Sequence, residues 1–155
     1  MAVRDGKKAP DFSLAGSDGK THTLKDYAGR TLVVYFYPKD NTPGCTKEAC
    51  SFRDLHAELQ RLDAAVLGVS RDSLGSHDRF IARFGLPFTL LSDPDGAMLQ
   101  AYGAWGEKSM YGKKVEGVIR STVVVGPDGT VLRHWPAVKK AEEHPQEVLE
   151  FLKAL

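Results

Sequence analysis

The sequence predicts an α/β fold in which a central mixed β-sheet is flanked by helices and preceded by an N-terminal hairpin. Three observations carry this reading. Thr31 to Tyr37 is a near-continuous apolar run of strand length, followed by a helical pattern and a second run at Ala65 to Ser70. Such runs suit parallel strands buried on both faces. Shorter strand and helix patterns then alternate. Near the end, two β-rich stretches flank the turn Gly126-Pro127-Asp128-Gly129, which adds an antiparallel section.

The elements follow in order. Asp11 to Leu14 and Lys20 to Leu24 flank the turn Gly16-Ser17-Asp18-Gly19 and read as a short hairpin. After the first buried strand, Ala49, Phe52, Leu55, Leu59 and Leu62 recur at helical spacing, with Lys47, Asp54, Glu58 and Arg61 on the other face. Asp72 or Ser73 caps a second helix that runs through Phe80, Ile81 and Phe84 and stops at Gly85 and Pro87. Thr89-Leu90-Leu91 is a short strand, and Asp93 or Asp95 opens a short helix through Met98, Leu99 and Tyr102. Gly103 to Gly117 is polar and glycine-punctuated and reads as a long loop, a length usually tied to function or mobility. Arg120 to Val125 and Thr130 to Trp135 form the clearest hairpin, and Gln146 to Leu155 is a closing helix.

At 155 residues, with 42% apolar and 26% charged residues, the chain is expected to form one soluble domain over residues 1–155. The formal charge is +1, from 21 basic against 20 acidic residues. That balance argues against nucleic-acid or anionic-membrane partners. No apolar run is long enough to span a bilayer, and Met1 to Gly6 lacks a signal-peptide core, so a cytoplasmic location is expected. There are two cysteines, Cys45 and Cys50. In a reducing compartment such a pair serves redox chemistry or metal binding more often than static cross-linking.

Cys45 ends the loop Pro38-Lys39-Asp40-Asn41-Thr42-Pro43-Gly44 at the junction between the first buried strand and its helix. Junctions of this kind are favoured places for sites in α/β sheets. A sulfur in the first turn of a helix meets unpaired backbone N–H groups and the positive end of the dipole. The thiolate is the nucleophile, and an unperturbed thiol is only about 3% ionised at pH 7. A fast enzyme also needs groups that hold the electrophile and stabilise its transition state. The Thr42 hydroxyl can donate to a thiolate and accept from a substrate. Backbone N–H groups of Gly44 and Cys45 can meet an attacked oxygen, while Pro38 and Pro43 stiffen the loop and can keep water from the sulfur. Arg120, just before a core strand, is the candidate cation, although nothing in the sequence order brings it to Cys45. Glu48 reads first as an ordinary first-turn acid, and second as a group that orients Arg120.

Pro38-x-x-x-Thr42-x-x-Cys45 resembles the active-site signature of the peroxiredoxins. Phe36 to Thr46 with Ala49-Cys50 is similar to the bacterioferritin comigratory protein (PrxQ) subgroup. The likeness extends to Ala9-Pro10-Asp11-Phe12, Trp105-Gly106-Glu107-Lys108, Met110 to Lys113 and Gly117 to Thr122. The resemblance implies a thioredoxin-like fold and reduction of hydrogen peroxide or organic hydroperoxides with no cofactor and no metal. It also implies Cys45 as peroxidatic nucleophile, Thr42 and Arg120 as its activating partners, Pro38 as its shield, and Cys50 as an intramolecular resolving cysteine, a trait of part of the subgroup.

Residues five apart in an intact helix have Cα atoms roughly 8.7 Å apart, beyond the ~7 Å reach of a disulfide. Closing Cys45 on Cys50 therefore requires the first turn to unwind, and yields a bond open to a dithiol such as thioredoxin. Because the second thiol lies in the same chain, a monomer is expected. Two other functions compete. A thioredoxin-type disulfide oxidoreductase normally carries Cys-x-x-Cys, whereas four residues separate the cysteines here. A zinc or structural module needs more ligands than two thiols without a nearby histidine pair. Trp105 and Tyr111 are expected to pack the long loop, and His22, His56, His77, His134 and His144 to be ordinary surface residues.

Overall fold

The structure is a computed structural model that describes residues 3–155; Met1 and Ala2, the start of the segment read above as lacking a leader core, lie outside the described residues. The elements are β1 (Ser13–Ala15), β2 (Thr21–Thr23), a 3-10 turn (Leu24–Tyr27), β3 (Thr31–Phe36), α1 (Pro43–Arg61), β4 (Ala64–Ser70), α2 (Leu74–Phe84), β5 (Thr89–Ser92), α3 (Ala97–Ala101), β6 (Trp105–Met110), β7 (Lys113–Val118), β8 (Ser121–Val125), β9 (Val131–Trp135) and α4 (His144–Lys153).

Five strands form the central sheet in the order β5-β4-β3-β8-β9. β3 pairs parallel with β4 and antiparallel with β8, so the sheet is mixed. The strand order reverses at β3, and its C-terminal end is the place where such sheets leave a crevice for a site. Alternation along β3 sends Leu32, Val34 and Phe36 into one apolar layer and Val33, Tyr35 and Tyr37 into the other. All six are at most 1% exposed, which is why this stretch reads as an unbroken apolar run. α1, α2 and α4 cover the second layer through Phe52, Leu59, Phe80, Val148 and Leu149. The first layer is closed by α3 and the N-terminal segment, through Met98, Leu99, Phe12 and Leu24.

Local chemistry explains the boundaries. Pro43 starts α1 at a position where its missing N–H costs nothing. The Ser73 hydroxyl accepts from the Ser76 N–H and caps α2, and Gly85 closes that helix in the left-handed region at φ 62. Asp93 and Asp95 both serve α3: Leu99 N–H donates to Asp93 Oδ2 at 2.9 Å and Ala97 N–H to Asp95 Oδ1 at 3.3 Å.

Three expectations change. Gly103 to Gly117 is not a long loop: β6 and β7 pair antiparallel across the turn Tyr111-Gly112, with φ values of 53 and 80. Both turn residues take left-handed backbone, as a two-residue hairpin demands. The stretch is masked in sequence because neither strand alternates apolar with polar residues; Lys113 to Glu116 are all exposed. Tyr111 does not pack anything, being 99% exposed at the tip, whereas Trp105 is half-buried with the Arg71 guanidinium 5.2 Å from its ring centre. Leu62 also leaves the apolar stripe of α1, because it ends the helix there and is 39% exposed.

Candidate active site

Cys45 is the third residue of α1 and is buried, at 2% exposure. Thr42 occupies the N-cap position, yet its side chain makes no capping bond; its hydroxyl donates to Lys39 O at 2.8 Å. The first turn is therefore closed mainly by the Thr46 N–H donating to Thr42 O at 2.8 Å. Helix geometry leaves the N–H groups of Gly44 and Cys45 without partners inside the helix, beside the sulfur. Pro38 is half-buried where the loop begins, and Pro43 is exposed.

Arg120 enters from the junction of β7 and β8, held where its carbonyl accepts from the Val138 N–H at 2.8 Å. Its guanidinium divides between two partners. Nη2 donates to Cys45 Sγ at 3.2 Å and Nη1 to Glu48 Oε1 at 2.7 Å. Burial works against the Arg120 charge, but Glu48 and Cys45 outweigh it and hold the guanidinium firmly protonated. A fixed cation and the N-terminus of α1 thus converge on one sulfur.

Glu48 is not the ordinary first-turn acid of the first reading; it meets Arg120, as the second reading has it. It lies one turn after Cys45, is 0% exposed, and has no partner for Oε2 among the described residues. Burial pushes its carboxyl up to about 7, against the pull of Arg120. A glutamate on the buried side of α1, between Cys45 and Phe52, carries that signal in the sequence, since an acid within an apolar stripe needs a cation. Gly44 has a steric reason to be glycine: a Cβ there would lie 3.2 Å from Arg120 Nη2. The helix can therefore carry the guanidinium close to its backbone.

Cys50 is half-buried on α1, and both cysteines are free thiols. The helix is continuous through both positions. The histidines differ from expectation. None is exposed, and His77 and His144 are 0% and 3% exposed. His144 is held by Thr122 Oγ1 at 2.8 Å and Glu147 Oε1 at 2.9 Å, and burial keeps its ring below the usual histidine range. Polar partners inside the fold make burial of these rings affordable. A shallow groove of about 380 Å³, lined by Gly44, Lys47, Lys139 and Lys140, opens beside the start of α1. Among the described residues no helix is long and apolar enough to cross a membrane.

The AhpC/TSA family pattern matches residues 6–134. Peroxiredoxin Bcp of Bacillus subtilis is 44% identical over 153 residues, covering 99% of this chain and 97% of the relative. Peroxiredoxin Bcp of Xanthomonas campestris is 49% identical over 144 residues, covering 93% and 89%. Among solved structures, Peroxiredoxin Q of Xanthomonas campestris superposes with a TM-score of 0.86 at 48% identity, over 92% of this chain and 90% of that one. A mutant of Xylella fastidiosa PrxQ gives 0.91 at 41% identity, over 98% and 96%.

Proposed function

Since the chain belongs to the AhpC/TSA family and is a peroxidase of the peroxiredoxin type with a thioredoxin-like fold, we propose that Cys45 is the sulfur that its peroxide substrate oxidises. One observation carries this reading: Arg120 Nη2 donates to Cys45 Sγ at 3.2 Å, on a sulfur in the first turn of α1. A related structure of the Xanthomonas campestris bacterioferritin comigratory protein is described in terms of alkyl peroxide reduction. Hydrogen peroxide and organic hydroperoxides are accordingly the proposed substrates.

The Cys45 thiolate attacks the terminal oxygen of the hydroperoxide. The O–O bond breaks, the sulfur becomes a sulfenic acid, and the alkoxide leaves as the alcohol with a proton from solvent. Arg120 and the N–H groups of Gly44 and Cys45 favour the charge on sulfur and on the departing oxygen. The Thr42 hydroxyl, bonded to Lys39 O, keeps lone pairs free to accept from the peroxide O–H. Pro38, half-buried at the mouth of the loop, limits water there.

Cys50 then attacks the Cys45 sulfur, forming S–S and releasing water. In the intact α1 the two Cα atoms are roughly 8.7 Å apart, so the first turn unwinds before the bond closes. That turn has no side-chain cap, which lowers the cost of opening it. A dithiol protein of the thioredoxin kind reduces the disulfide and returns the enzyme to its starting state. We take the chain to work in the cytoplasm as a single-domain monomer, since both sulfurs lie in it.

The test is NADPH consumption with thioredoxin and thioredoxin reductase, alongside mass spectrometry of each cysteine. Cys45→Ser abolishes turnover. Cys50→Ser still forms a sulfenic acid at Cys45 for one round, but does not cycle. Full cycling by Cys50→Ser would show that another thiol resolves Cys45, and peroxide turnover by Cys45→Ser would overturn the assignment.

A further inference from the structure

Between β3 and α1 the chain crosses an irregular loop, and one side chain in it faces fully inward. Asp40 is 6% exposed. Its Oδ1 accepts from the Tyr37 hydroxyl at 2.6 Å, and its Oδ2 accepts from the Ser76 hydroxyl at 2.8 Å and from His77 Nδ1 at 2.7 Å. The Asp40 N–H donates to Asp72 Oδ2 at 2.8 Å, and that oxygen also accepts from the Ser70 hydroxyl at 2.7 Å. His77 Nε2 faces the Leu91 carbonyl at 2.9 Å. A carbonyl only accepts, so Nε2 carries a proton. Burial opposes the charge on Asp40, but the bonds from His77 and Tyr37 prevail and keep its carboxyl below the usual range.

These contacts bring carboxylate oxygens and an imidazole nitrogen within 4.8 Å of one another. Their lone pairs are engaged by protein donors, so the cluster is a clamp rather than a cation cradle. The clamp attaches to α2, not to the helix that carries the cysteines. A second contact repeats the attachment: Arg83 Nη1, also on α2, donates to Asn41 Oδ1 at 3.3 Å. On the far side of the cysteines, Arg53 Nη1 donates to Phe84 O at 2.7 Å, at the C-terminal end of α2. The helix α2 therefore grips the chain before Cys45 and after Cys50, and leaves the segment between free of both grips.

We propose that Asp40 is a positioning residue that ties the Cys45 loop to α2 through Tyr37, Ser76 and His77, and so sets how fast Cys45 reacts with peroxide. The inference rests on the reading of Cys45 as the peroxidatic sulfur. Cys45 lies only three residues into α1, so the path of the loop decides where the sulfur sits against Arg120. Reaction rates fall steeply when a reacting atom is misplaced by an ångström. The disulfide step differs, because the backbone that unwinds lies beyond Asp40. The clamp need not break for Cys50 to reach Cys45.

The experiment measures two constants in wild type, Asp40→Asn, Tyr37→Phe and Ser76→Ala, each below its unfolding midpoint. The first is the second-order constant for oxidation of Cys45 by hydrogen peroxide. The second is the first-order constant for Cys45–Cys50 disulfide closure, followed by quenched-flow mass spectrometry. Oxidation slows on the order of 10-fold or more in Asp40→Asn and roughly threefold in Tyr37→Phe. Closure proceeds at the wild-type rate or faster. Oxidation within about twofold of wild type in Asp40→Asn and Tyr37→Phe would overturn the proposal. So would a parallel fall in both constants, which is the mark of general loosening. If Asp40→Asn does not fold, Tyr37→Phe and Ser76→Ala decide by the same criterion, since neither leaves a buried charge without a partner group. Failure of the wild type itself to form a sulfenic acid at Cys45 would overturn the underlying assignment together with this one, and is recognised by appearing in the unmutated protein.

Discussion

Replacing Glu48 with glutamine tests the electrostatics of the site through stability alone. In the folded chain the Glu48 carboxyl keeps its proton up to about 7, against an ordinary value of 4.5. Burial without a partner for Oε2 is the cause, and Arg120 only partly offsets it. Between those two values the folded state holds a proton that the unfolded chain has released. Stability must then fall as pH rises through this window. The difference, about 2.5 units at about 1.4 kcal/mol each, is on the order of 3 kcal/mol. That is a large share of the ~5–15 kcal/mol typical of a domain. Glutamine keeps an oxygen for Arg120 Nη1 but has no proton to lose. Urea unfolding of both proteins, fully reduced, at half-unit steps from pH 4.5 to 8 isolates the effect. The wild-type stability minus that of Glu48→Gln should decline by about 3 kcal/mol across the range, and level off near pH 8. A difference that stays flat within about 0.5 kcal/mol would refute the claim that this carboxyl is ionised at a cost.

Other perturbations separate position from stability. Gly44→Ala puts a Cβ 3.2 Å from Arg120 Nη2, so the guanidinium must retreat from Cys45. Oxidation by peroxide should slow by about tenfold, while thermal unfolding shows no loss of stability, since alanine favours a helix over glycine. Arg120→Ala should cost on the order of 10–1000-fold in the rate of Cys45 oxidation, read by stopped flow, as for loss of one transition-state donor. Arg120→Lys restores the charge without the fork that reaches both Cys45 and Glu48, and should recover only part of that rate. Gly85→Ala meets no atom within 4 Å but retains φ +62, so it should destabilise the fold by roughly 1 kcal/mol in urea with unchanged peroxide kinetics.

Much of the candidate site was legible before the fold was known, because its first part is contiguous. Pro38, Thr42 and Cys45 lie in one loop, and the start of a helix at Pro43 is itself a sequence signal. The five-residue step to Cys50 states a geometric conflict by itself, since helix rise and rotation are constants. The hairpin of β6 and β7 was not legible. From Lys113 to Glu116 its second strand is exposed on both faces, and Tyr111-Gly112 is a weaker turn signal than a pair led by asparagine or aspartate. The burial of His77 and His144, and the cation that meets Glu48, were also hidden. A polar side chain enters a core only when a partner waits there, and each of these has one remote in sequence: Arg120 lies 72 residues from Glu48, Asp40 lies 37 from His77, and Thr122 lies 22 from His144.

By itself the sequence determined where every strand and helix but the β6–β7 hairpin forms, that β3 is buried on both faces, and that a thiol stands at the first turn of α1. These depend on periodicity, turn chemistry and helix geometry, which act over a few residues. The tertiary structure alone decided which charge meets that thiol, which acid is forced to share it, and which helix holds its loop. Arg120 reaches Cys45 across 75 residues because β8 lies beside β3 in the sheet. Strand order of that kind is set by packing two apolar layers at once, a condition that no local stretch of chain expresses.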